Sequence, residues 1–164
     1  MFAAPYSVLI KAVDNPALAT LLHLARYVVL ESLREDVRGA PFDLNDRRFL
    51  TYLVAKLQGA VDEELYAVFL DRQHGYVADE LVASGTWDQI SLRLRPLMRR
   101  AIELNAAAIV LFHNHPSGVA DASEADRQFT ASAKSAAEAL GIELFDHLIV
   151  AGPNIFSMRT AGLF

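Results

Sequence analysis

A chain of 164 residues that is 53% apolar and 21% charged can bury one substantial core, which excludes wholesale disorder. Its longest uninterrupted apolar run, Ala106 to Phe112, is seven residues, against the roughly 20 that a spanning helix needs. The formal charge of −5 argues against a surface that grips nucleic acid by charge alone, and the absence of cysteine excludes disulfides, thiolate catalysis and sulfur-ligated zinc.

In chain order, MFAAPYSVLI has no basic region ahead of its apolar stretch, so a cleaved secretory signal is not expected. With no cysteine to oxidise, a reducing cytoplasm is the expected location. Asn15-Pro16 then reads as a helix cap followed by proline at the first helical position. Leu18, Leu21, Leu22, Ala25, Val28, Val29 and Leu33 recur at helical spacing and predict a helix over about residues 16–35. Its apolar face is a candidate for pairing two subunits in a homodimer. Arg38 to Pro41 breaks it, and a second helix is expected from Asn45 or Asp46 through Leu57, stopped at Gly59.

The period then changes. Glu63 to Asp71 reads as a buried strand, His74-Gly75 as a turn, and Tyr76 to Ala83 as a second strand ended by Gly85. A helix follows over about residues 94–105, with Pro96 in its first turn, where a missing N–H costs little. Arg93, Arg95, Arg99 and Arg100 cluster here, and Arg47-Arg48 form a second pair. Such groups are most simply a solvated face, with nucleic acid as a weaker expectation. Ala106 to Phe112 predicts an apolar strand, Ser123 opens a helix to about Leu140, and Ile142 to Val150 is another strand. The alternation implies an α/β fold in which helices sandwich a mixed β-sheet.

The chemically informative passage is His113-Asn114-His115-Pro116-Ser117-Gly118, followed by Ser123 and Asp126. In extended backbone, side chains at i and i+2 share a side, so His113 and His115 can converge while Asn114 faces away. A helix beginning at Ser123 could turn Asp126 back toward the strand end. Two imidazoles and a carboxylate form a common catalytic zinc set with one position left for water. The competing reading is structural: Ser123 and Asp126 also fit a helix-capping pair, and the two uses compete for the same carboxylate. Asp146-His147 is better suited to a supporting role than to a catalytic dyad. His23 fits a surface or interface position, His74 a turn, and Ser117 a loop hydrogen bond.

Taken together, the strand, H-x-H, turn and S-x-x-D order resembles the RadC family, a bacterial branch of the JAB/MPN metalloprotease fold with the JAMM motif. HNHPSG, ELYAVFLD from Glu64, Gly85-Thr86, RRAIELNAAAIVL from Arg99 and DHLIV from Asp146 carry the likeness, over about residues 45–158. It implies an N-terminal helical extension over 1–44 and a RadC-like JAB/MPN domain, of cytidine deaminase-like architecture, over 45–164. His113, His115 and Asp126 would bind Zn2+. Glu63, selected over its neighbour Glu64 by the family's spacing to Leu70-Asp71, would be the general base. Ser123 would stabilise the oxyanion of a tetrahedral intermediate. The implied reaction is hydrolysis of a peptide or isopeptide bond in an unidentified peptide or protein substrate.

Some features depart from that pattern. The first 44 residues hold one glycine, Gly39, and lack the helix-hairpin-helix signature of longer RadC proteins, which weakens any link to DNA. Ala120 and Ala122 stand where the family's loop carries prolines, and Leu94-Arg95-Pro96 replaces its P-R-E stretch. The alternative is a catalytically silent JAB/MPN binding module, or an accessory factor in DNA repair. A scaffold would not need Glu63, both histidines, Ser123 and Asp126 together, which favours the enzyme. A zinc nucleobase deaminase is set aside because H-x-E and P-C-x-x-C are absent.

Overall fold

A computed structural model describes residues 6–85 and 94–164; Thr86 and Arg93, singled out above, lie outside them. Five strands form one mixed sheet: β1 (Glu64–Leu70), β2 (Tyr76–Ser84), β3 (Ala108–Asn114), β4 (Glu143–Ala151) and β5 (Asn154–Ser157), in the order β2-β1-β3-β4-β5. Only β3 and β4 run parallel among these pairs, as required of strands joined by a helical crossover. Five helices are described: α1 (Tyr6–Val13), α2 (Pro16–Val37), α3 (Arg47–Leu57), α4 (Leu94–Glu103) and α5 (Glu124–Glu138). The expected α/β sandwich is therefore present, with α1 and β5 added to the elements legible in the sequence.

Alternation along β1 and β3 builds the two cores. Leu65, Ala67, Phe69, Ile109 and Leu111 face α4 and α5, packing with Leu97, Met98, Phe129 and Ala133. Val68, Leu70, Val110 and Phe112 face the other way, against Phe42, Phe49 and Leu53. Every residue of β3 is buried, as expected of a central strand covered on both faces. The odd-numbered face of β3 is thus the α4/α5 face, and it carries His113.

β4 obeys this alternation only because of a bulge. Ile109 pairs with Leu144 but Val110 pairs with Asp146, so β4 holds one extra residue at Phe145. Leu144 belongs to the α4/α5 core, whereas Leu148 and Val150 belong to the α3 core. The extra residue reverses the parity and turns His147 toward α5 and β3.

Helix ends follow their capping residues. The Asn15 side chain accepts from the Leu18 N–H at 3.1 Å with Pro16 at the first helical position. One Nη of Arg26 donates to the carbonyls of Ala55, Lys56 and Gln58 at 3.3, 3.0 and 3.1 Å, clamping α2 to the C-terminus of α3. Along α2, Leu18, Leu21, Leu24 and Val28 remain exposed. Among the described residues no helix is long and apolar enough to cross a membrane.

Candidate metal centre

His113, at the end of β3, is fully buried, and His115 follows it beyond the strand, where its N–H still donates to the Val150 carbonyl at 3.0 Å. That bond keeps His115 extended alongside β4, so both imidazoles fall on the α5 side. Their ring centroids are 4.7 Å apart. Asp126, fully buried in the first turn of α5, closes the cluster: the ligand atoms of the three residues all lie within 4.8 Å of one another. Nε2 of His113 is 3.1 Å from Asp126 Oδ1, and Nε2 of His115 is 3.4 Å from Oδ2.

The capping and metal readings of Asp126 prove compatible because its two oxygens divide the work. Oδ2 accepts from the Ser123 N–H at 2.7 Å and from its hydroxyl at 2.6 Å, while Ser123 Oγ accepts the Asp126 N–H at 3.2 Å, a complete capping box. Oδ1 is sealed from solvent, and the polar group facing it is Nε2 of His113 at 3.1 Å. A buried carboxylate oxygen in that state is costly unless a cation or proton reaches it.

Burial alone would push Asp126 upward, but His113, His115 and the Ser123 hydroxyl outweigh it and hold the carboxyl well below the usual carboxylate range. His115 is raised, first by its hydrogen bond to Asp126 and further by the Val119 carbonyl and the Glu63 charge, against the opposing effect of burial. His147 is lowered well below its ordinary value by complete burial and by His113 beside it. A buried carboxylate whose two oxygens face two imidazole nitrogens is a donor set that could hold a metal ion.

Around this cluster each histidine is oriented through its other nitrogen. His115 Nδ1 is 3.0 Å from the Val119 carbonyl, which can only accept. His113 Nδ1 is 2.9 Å from Nε2 of His147, which places His147 against the His113 ring. Asp146 points elsewhere, accepting from the His147 and Arg159 N–H groups and the Ser157 hydroxyl, which pins β5 and the turn after it.

Glu63 sits one residue ahead of β1 rather than within it. Leu65 pairs with His113, and the backbone carbonyl of Glu63 accepts from the Gly85 N–H at 3.0 Å. The charge of Glu63 reaches His115, whereas the Glu64 carboxylate accepts from the Tyr66 hydroxyl at 3.1 Å on the alternate side of the strand. Beside His115, a cavity of ≈ 490 Å³ is lined by Leu57, Gly59, Asn114, Pro116, Gly152 and Pro153.

Arg99 and Arg100 of α4 are engaged with acids on the protein itself. Arg99 Nε donates to Glu103 at 2.7 Å, and Arg100 Nε to Glu80 at 2.6 Å. His74 occupies the β1–β2 turn with φ +57°, as expected, beside Glu143 at 3.3 Å. Thr130 was not anticipated. It lies four residues after Asp126, one turn along the same helix face, a spacing from which it could have been found.

This geometry agrees with comparisons to known proteins. A family described as the RadC-like JAB domain matches residues 44–163. The chain is 39% identical over 148 residues to a UPF0758 protein of Leptothrix cholodnii, covering 89% of this chain and 64% of that one. It is 40% identical over 144 residues to a UPF0758 protein of Vibrio cholerae (88% and 62%), and 36% over 137 residues to one of Aliivibrio fischeri (84% and 59%). It therefore spans about three-fifths of the length of these curated relatives. With the match running from just before α3 through β5, and with the paired histidines and Asp126 meeting at the end of the central strand, the chain belongs to the RadC family through its RadC-like JAB domain.

Proposed function

We propose that the domain is a zinc-dependent hydrolase of peptide or isopeptide bonds. The observation that carries this reading is the sealed Asp126 Oδ1 facing Nε2 of His113, with Nε2 of His115 close to the other oxygen. His113, His115 and Asp126 would hold the ion. A zinc ion bound there supplies Lewis acidity, polarising a carbonyl and lowering the pKa of water.

The chain's own residues supply the rest. Glu63, half-buried and electrostatically coupled to His115, takes the proton from the attacking water and returns it to the leaving amine. The cavity beside His115 would take the substrate, its glycines leaving room for a peptide backbone and its prolines and Leu57 offering apolar contact. Ser123 stabilises the oxyanion once its hydroxyl turns from Asp126 Oδ2, leaving the backbone half of the capping box in place. The expected setting is the cytoplasm, and the expected partner is a peptide or protein.

The present engagement of the Ser123 hydroxyl favours one second reading: a binding module that uses zinc for structure and carries out no hydrolysis. Elemental analysis of chelator-free protein, beside His113→Ala and His115→Ala variants, tests the metal. About one zinc per chain, lost in both variants, is expected; no zinc in wild type after adding it overturns the reading. Screening zinc-loaded protein against peptide and isopeptide panels, with Glu63→Gln as control, separates the two. Cleavage that Glu63→Gln abolishes establishes the hydrolase, whereas full zinc with no cleavage selects the binding module.

A further inference from the structure

The buried environment of His113 contains more order than a metal ligand set requires. Thr130 Oγ is 2.5 Å from the backbone carbonyl of Asp126 and 2.6 Å from Nδ1 of His147, and Nε2 of His147 is 2.9 Å from Nδ1 of His113. Thr130, His147 and His113 are all fully buried. A carbonyl oxygen can only accept, and the Asp126 carbonyl at 2.5 Å is a stronger acceptor than Met158 Sδ at 3.5 Å, so the single Thr130 hydroxyl proton lies on the Asp126 carbonyl. Thr130 Oγ must then accept from His147 Nδ1–H. Neutral His147 is left with a lone pair on Nε2, which accepts from His113 Nδ1–H. With its Nδ1 proton so committed, His113 presents Nε2, 3.1 Å from Asp126 Oδ1, to a cation or to a proton shared with that carboxylate.

We propose that His147 and Thr130 are positioning residues for metal capture, a directed hydrogen-bond chain that holds His113 in the tautomer whose Nε2 can bind a cation. The proposal rests on the zinc reading for its purpose but not for its geometry. The chain starts and ends on one residue: the backbone of Asp126 sets the proton on Thr130, and the carboxylate of Asp126 faces the nitrogen thereby exposed. Run in reverse, the chain would place a proton on His113 Nε2 and block it. That arrangement would also leave Thr130 Oγ and the Asp126 carbonyl as two acceptors 2.5 Å apart with no proton between them. The bulge at Phe145 is what brings His147 into this line.

Long-range 1H–15N spectra of the metal-free protein report which ring nitrogen carries each proton. Protons on Nδ1 of both His113 and His147 are expected; an unprotonated Nδ1 on either ring overturns the proposal. Zinc affinity, measured by competition with a chelating dye, is the second readout. Thr130→Val keeps the shape and loses the hydroxyl, and is expected to weaken zinc binding about tenfold, in the range found for such supporting partners. Thr130→Ser should restore affinity to within about twofold, using the same dye assay. Wild-type affinity in folded Thr130→Val overturns the proposal. His147→Ala is expected to lose affinity too, but the isosteric threonine variant decides if that protein does not fold. Should wild type bind no zinc, the functional reading falls while the tautomers of His113 and His147 still decide the chain.

Discussion

The Asn114 side chain is bonded to the backbone on both sides of Glu63: its carbonyl oxygen accepts from the Glu64 N–H at 2.8 Å, and its amide donates to the Asp62 carbonyl at 3.0 Å. The middle residue of the H-x-H run, facing away from the cluster, therefore fixes the segment that carries the proposed base. Asn114 is 7% exposed, so truncation leaves two backbone groups poorly satisfied. Asn114→Ala should cost about 2 kcal/mol of stability by urea denaturation. Zinc content should be retained while any peptidase activity found for wild type falls. Unchanged stability, or zinc lost with the fold intact, would show that Asn114 does not act on the Glu63 segment.

Gly118 closes the turn that orients His115. Its N–H donates to the His115 carbonyl at 3.0 Å, and its φ of +80° lets the next residue, Val119, present its carbonyl to His115 Nδ1. A Cβ at Gly118 would meet nothing within 4 Å, so the penalty of Gly118→Ala is backbone strain, about 1 kcal/mol, rather than collision. The expected result is a small loss of stability with a measurable loss of zinc affinity in the dye competition. Affinity equal to wild type would mean that His115 keeps its orientation without this turn.

Asp79 is a buried anion on the opposite side of the sheet. Both tyrosine hydroxyls, of Tyr52 and Tyr76, donate to its Oδ1, and Lys56 Nζ lies 2.7 Å from Oδ2. Burial pushes Asp79 up, yet the Lys56 ammonium and the two hydroxyls outweigh it, leaving its pKa below the ordinary value. A depressed carboxylate adds stability that is present above the unfolded value of about 4 and is lost as pH falls through the lower folded one. Asp79→Asn should cost about 3 kcal/mol at pH 7, because Lys56 loses its partner, and should flatten that acid-side decline. Stability curves at pH 7 and below pH 4 would refute this if the two proteins declined in parallel.

Arg26 offers a control remote from the cluster. It binds three carbonyls at the end of α3, and Arg26→Ala should lower stability by about 1.5 kcal/mol through loss of these charge-assisted bonds. Zinc stoichiometry and affinity should not move. A loss of zinc in this variant would mean that α3 supports the metal centre more directly than its contacts indicate.

Metal removal has a thermal signature. Zinc at a hundredfold excess over its dissociation constant stabilises a folded site by about 2.7 kcal/mol, so a chelator should lower the melting temperature of wild type by roughly 5–10 °C. His113→Ala, lacking a ligand, should show no chelator effect. An equal shift in both proteins would place the effect elsewhere.

Much of this architecture was written in local pattern. Asn15-Pro16, the apolar run ending at Phe112 and the Ser123-x-x-Asp126 pair mark element starts and ends because capping, turn geometry and burial act over a few residues. The same locality put His113 and His115 on one side of a strand end and Asn114 on the other. Strand boundaries slipped by one or two residues: β3 runs to Asn114 rather than ending at Phe112, and Glu63 precedes β1.

What local pattern could not settle was which distant groups meet. Nothing in ELFDHLIVA announces a bulge, since its apolar residues suit either parity, yet one extra residue at Phe145 decides that His147 reaches His113. Asp126 was legible as a cap or as a ligand, and only the tertiary structure shows that Oδ2 takes the capping bonds while Oδ1 faces His113. The chain from Asp126 through Thr130 and His147 to His113 depends on β3, β4 and α5 together. Capping and alternation are short-range forces that residue order specifies directly, whereas hydrogen-bond direction inside a dry core depends on which acceptor lies opposite, and only the assembled fold determines that.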